Sequence, residues 1–223
     1  VSITPYLWIP AVETTFTIRD FPVEGESTTS PFSVFDELQF ALMGTAEVGY
    51  GRFGLITDLL YVALGSDYSA SLPNETVIRS EFDLDLGSAL GVLTYRVVDE
   101  PRVKLDLAGG ARFIWTTVGA ELAGSGGSRF DAEATISLVD PVVGLHGGYG
   151  IDENWGLSGM ANVGGFGVGT ELTWEAIATI DYRFNETVAL RLGYRVLSMD
   201  LAMRELELDV LLHGPVLGLA ITF

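Results

Sequence analysis

The sequence has no cysteine, few basic residues and no long apolar run. Without cysteine there is no disulfide framework, thiol nucleophile or thiolate zinc site. That absence fits a protein crossing an oxidising compartment. Only 12 Lys and Arg stand against 30 Asp and Glu, a formal net charge of −18. So acidic a chain has no basic surface to displace counterions, which excludes nucleic acid as a partner. Apolar stretches such as "SALGVLTY" end well short of the ~18 residues of a membrane helix. Yet hydrophobic residues make up 48% of the chain, and mean hydropathy is +0.35. A chain that is apolar on average but never for long is one in which apolar and polar residues alternate.

The alternation is explicit in "LTWEAIATIDYRF". Leu172, Trp174, Ala176, Ala178, Ile180, Tyr182 and Phe184 share one face, and Glu175, Asp181 and Arg183 share the other. "TVALRLGYRV" repeats the pattern after Asn185-Glu186, which reads as a two-residue hairpin turn. The whole chain yields ten strands, near 1–19, 38–50, 53–66, 73–98, 101–122, 129–150, 154–166, 170–184, 187–203 and 205–223. Many exceed the 5–6 residues common in globular proteins and are long enough to cross a bilayer at a tilt. "GYGRFG", "VVDEPRV", "GIDENW" and "RFNETV" are short turns, and longer, small-residue-rich loops alternate with them. Strand length, turn asymmetry and 27 glycines favour a transmembrane antiparallel up-and-down β-barrel over a soluble sandwich. The fold expected is all-β, one domain over 1–223, with ten strands and 8 or 12 as alternatives.

If the apolar face meets lipid, the other face lines the lumen. Its expected charged residues are Glu47, Asp58, Asp83, Asp85, Arg96, Lys104, Asp106, Arg112, Asp131 and Glu133. Asp140, His146, Glu175, Asp181, Arg183, Arg191, Arg195, Glu207 and Asp209 complete the set. Bulges are expected near Leu86–Leu90, Asp140-Pro141 and His213–Pro215 to keep the phase. In so narrow a barrel the charges are expected to pair and fill the lumen. The alternative is a water path that prefers cations. An omptin-like enzyme is the third class, with only His146 and His213 available as bases. His146 is expected near the periplasmic end and His213 on the lipid-facing phase, and no metal or cofactor site is expected. Tyr6, Trp8, Tyr50, Phe53, Tyr95, Trp115, Tyr149, Trp155, Trp174, Tyr182, Phe184 and Tyr194 read as interfacial girdles. "PFSVFDEL" is expected to form one short helix capped by Ser33, with Asp36 and Glu37 solvating it.

The stretch from Asp140 to Leu197 resembles a group of poorly characterised proteobacterial outer-membrane barrel proteins. It carries an Asp-Pro entering a strand, "GGFG", a Thr-Trp and paired Tyr-Arg strand ends. "ITPYLWIP" and "FDELQFALMGTAEVGYGRFGL" fit the same pattern. The resemblance implies a mature single-chain barrel in a Gram-negative outer membrane, and no reaction. The closing residues Leu217, Leu219, Ile221 and Phe223 resemble the C-terminal signal read by the barrel-assembly machinery. That machinery, outer-membrane lipid and lipopolysaccharide are the partners implied.

Overall fold

The computed structural model describes the backbone of residues 1–18, 23–29, 38–71, 77–124, 129–203 and 206–223. Side chains are described for 1–15, 38–65, 83–119, 132–201 and 208–223. The strands are β1 (Ser2–Trp8), β2 (Ala11–Ile18), β3 (Val23–Thr29), β4 (Leu38–Tyr50), β5 (Phe53–Ser71) and β6 (Val77–Asp99). They continue with β7 (Val103–Gly124), β8 (Arg129–Gly150), β9 (Trp155–Gly165), β10 (Leu172–Arg183), β11 (Val188–Met203) and β12 (Leu206–Thr222). Each pairs antiparallel with its neighbours, and β12 returns to β1, closing the expected ten-stranded barrel from β1 and β4–β12.

The first expected strand is split into β1 and β2 at Ile9-Pro10. Proline has no N–H for the ladder, so pairing breaks there, opposite Gly214-Pro215 of a β12 that runs on unbroken. Beyond the break β2 keeps β12 as a neighbour but takes β3 on its other side, and β3 stands outside the ring. Residues 31–37 of the expected short helix lie outside the described residues, and Leu38 opens β4.

Both termini and the short turns share one end, with the Phe223 N–H donating to the Val1 carbonyl at 2.9 Å. The turn expected at Asn185-Glu186 spans four residues, 184–187, between β10 and β11. In the β8–β9 turn, Asp152 accepts the backbone N–H groups of Asn154 and Trp155, both at 2.8 Å. These two donors hold its carboxyl below the ordinary aspartate range. A lowered pKa stabilises the turn above the ordinary value of about 3.9 and loses that contribution as pH falls through the shifted one. Amide exchange at Asn154 and Trp155 is therefore expected to quicken selectively over that acidic window, and to be fast at neutral pH in Asp152→Ala.

Outward aromatic pairs ring this end: Phe53 with Tyr95 at 5.2 Å and Trp155 with Tyr182 at 4.8 Å between ring centres. Tyr6 and Trp8 do not belong to a girdle. Their register opposite Gly218 and Val216 turns both inward, and Trp8 is buried.

The expected bulges at Leu86–Leu90, Asp140-Pro141 and His213–Pro215 are absent. The ladders run unshifted through all three, and the observed irregularities lie at Leu38/Phe40 and Arg96/Val98. What changes along the strands is the chemistry of the two faces. Near the termini the lumen side is polar and the outside apolar. Farther along, Leu60, Val62, Leu86 and Leu138 point inward, while Asp83, Asp85, Glu133 and Asp209 take the outward positions between them. Carboxylates face outward where the wall rises past the apolar band into water, and leucines fill the interior in exchange.

Candidate functional site

The inward face carries three levels. Nearest the termini, Arg96 of β6 reaches Asp106 of β7 at 2.8 Å, and His146 of β8 lies 3.5 Å from the same carboxylate. Arg191 of β11 lies between Glu47 of β4 at 3.3 Å and Asp181 of β10 at 3.7 Å, and also donates to Thr4. Lys104 and Arg183 are exposed at the rim, where Arg183 donates to the carbonyl of Glu153 rather than joining the ion pairs.

The middle level crosses the barrel. Arg195 of β11 contacts Glu175 of β10 at 2.6 Å and Asp58 of β5 at 2.8 Å, and donates to the Tyr6 hydroxyl at 2.5 Å. Tyr6 in turn donates to Asp58 at 2.9 Å. Arg112 of β7 pairs with the second oxygen of Glu175, and Asn162 of β9 bridges the two at 3.1 Å on each side. Arg112 and Glu175 are each 1% exposed and Arg195 2%. The Trp8 ring sits 4.8 Å from the Arg195 guanidinium carbon and roofs the level as a cation–π partner.

Beside it, Asp140 holds the β9–β10 loop. Its carboxylate accepts the backbone N–H and hydroxyl of Thr170 and the hydroxyl of Thr173, each at 2.8 Å. The loop climbs through Gly165, Phe166 and Gly167 with φ of 88°, 52° and 74°. For phenylalanine that region costs about 1 kcal/mol or more, and a buried three-bond clasp can hold it.

Above Trp8 the third level is an apolar cavity of about 450 Å³. Its inward lining includes Met43, Leu60, Val62, Leu86, Leu138 and Leu197, and among the described residues no lining side chain is charged.

The structure thus brings together Glu47, Asp58, Arg96, Asp106, Arg112, Glu175, Asp181, Arg191 and Arg195, with Asp140 in its own cluster. Asp83, Asp85, Glu133 and Asp209 stand outside the lumen, because the register continues where the alternation in chemistry inverts. The side chains of Asp131 and Glu207 lie outside the described residues. Their backbones pair with Glu121 and Ala202. His213 faces outward as expected, between the Tyr194 hydroxyl at 2.6 Å and Glu13 at 3.2 Å. Leu217, Leu219 and Phe223 are exposed on the outer face. The reading from sequence missed Tyr6, Trp8, Asn162 and Thr170. The first two looked like strand-end aromatics, and only the "TPYLW" phase opposite the C-terminal strand turns them inward.

A closed ring of ten tilted strands with an apolar exterior and charged interior has the fold of the outer-membrane β-barrel proteins. Over its whole length the chain is similar to outer membrane protease OmpT from Escherichia coli, with TM-score 0.62, 10% identity and 96% of that chain covered. It also aligns with the translocator domain of the autotransporter NalP from Neisseria meningitidis, with TM-score 0.46, 13% identity, and 100% and 88% of the two chains covered. The comparison with OmpT shows a shared fold. No protein-family model and no curated protein sequence matches the chain.

Proposed function

We propose that this is an integral, non-enzymatic barrel of a Gram-negative outer membrane whose lumen is shut across its middle by ion pairs. Its role is then structural or binding, exercised from the side away from the termini. The observation that carries this is the Arg112–Glu175–Arg195–Asp58 chain, which links β7, β10, β11 and β5 with every member at most 4% exposed. Between it and the layer below lies a cavity of only about 80 Å³, room for a few waters. The outward leucines and the aromatic rim supply the lipid contact, and Leu217, Leu219, Ile221 and Phe223 supply the assembly signal.

A non-enzymatic reading is supported by both histidines. His146 sits deep on the terminal side against Asp106, and His213 is on the outer wall. Neither stands at the far mouth with a carboxylate pair. Single-channel recording of purified protein in planar bilayers is expected to show no stable conductance. A steady, cation-preferring current would replace this proposal with a diffusion channel, and cleavage of added peptides would replace it with an enzyme.

A further inference from the structure

The apolar cavity above Trp8 is not explained by a sealed barrel, for which a packed interior would serve better. We propose that it is a binding site for an uncharged single-chain amphiphile: one alkyl chain with a small neutral head such as an alcohol or ester. This rests on the closed-lumen reading, since the ion-pair level forms the floor of the site.

Four observations converge on that ligand. The volume of about 450 Å³ is that of a small-ligand pocket, roughly 300–1,000 Å³, and suits one chain rather than a multi-chain lipid. Trp8 closes the cavity's base, with its indole N–H buried away from the open space. The floor therefore offers a chain end apolar contact and no polar partner. No lining side chain among the described residues is basic, so nothing there balances a phosphate. The wall above carries Asp83, Asp85, Glu133, Asp200 and Asp209 on its outer face, which disfavours an anionic head on approach.

The barrel wall also provides an entrance. β9 and β10 stop at Gly165 and Leu172, whereas β8 runs on from Val142 back to Arg129 with, among the described residues, only β7 beside it. The flanking β8 and β11 are three strand spacings apart, so the notch is about 14 Å wide. Its sides carry Leu138 and Ile136 on β8 and Leu201 on β11, all of which also line the cavity. At its lip Phe166 and Val168 are exposed. The notch therefore gives an alkyl chain a lateral opening bordered by apolar side chains.

The test uses the whole chain in phospholipid nanodiscs and a decanol bearing a terminal diazirine, photolysed and mapped by peptide mass spectrometry. Saturable labelling of Val62, Leu138 or Leu197, competed by decanol, is the expected result. Val62→Trp, which fills the cavity, should abolish it while the barrel keeps its heat-modifiable migration. The diazirine analogue of decanoate should label more weakly than the alcohol. Labelling confined to lipid-facing residues such as Leu192, labelling that survives Val62→Trp, or no labelling of a folded barrel would overturn the site. Equal labelling by the carboxylate would overturn the preference for a neutral head. Conductance recorded on the same preparation separates the two proposals, because a conducting barrel refutes the sealed lumen whatever the probe does.

Discussion

Replacing Arg195 with Met is expected to cost about 3–5 kcal/mol of unfolding free energy, the largest effect of any single change in the barrel interior. The guanidinium neutralises two carboxylates at once, Asp58 at 2.8 Å and Glu175 at 2.6 Å, and both are nearly fully buried. Without it Glu175 retains Arg112, but Asp58 keeps only the Tyr6 hydroxyl. The penalty comes from stranding a buried charge rather than from the Coulomb attraction lost. The double variant Asp58→Asn/Arg195→Met should therefore recover part of the loss. Urea unfolding in lipid vesicles, followed by tryptophan fluorescence, measures both. A single variant within about 1 kcal/mol of the parent, the scale of an exposed pair, would show that the level is hydrated.

Asp140→Ala is expected to destabilise the protein by about 3 kcal/mol and to free the β9–β10 loop. Three donors converge on this carboxylate, and each one left buried without an acceptor costs about 1–3 kcal/mol, less what relaxation recovers. The backbone around Phe166, held at a positive φ, has no other clasp of comparable strength among the described residues. Limited proteolysis should then cut within 166–171 in the variant and spare the parent, with the rest of the barrel intact. Asp140→Asn, which keeps one acceptor oxygen, should fall between the two. Equal protease resistance in all three would mean that the strand ends, not Asp140, fix the loop.

The barrel itself was legible because its signal is local. A period of two over long stretches, ended by Gly, Asn and Asp turns, is set by the pleat and needs no knowledge of distant residues. Glu175, Asp181, Arg191 and Arg195 were placed inward on that basis, in stretches of β10 and β11 that alternate cleanly. Asp83, Asp85, Glu133 and Asp209 were misplaced for an equally physical reason. Their strands reverse polarity halfway, and a reversal looks the same in sequence as a one-residue bulge.

Sequence alone therefore determined that the chain is an antiparallel barrel of about ten long strands, which short turns join it, and that charge would lie inside it. Those properties follow from alternation and turn chemistry. Tertiary structure alone decided where along each strand the inside stops being charged and becomes apolar. It also decided which carboxylates share Arg195, and that Trp8 stands between the two regions. These depend on strand register, on the shortness of β9 and β10 beside their neighbours, and on the height at which the wall leaves the lipid. Each is a relation between residues far apart in the chain.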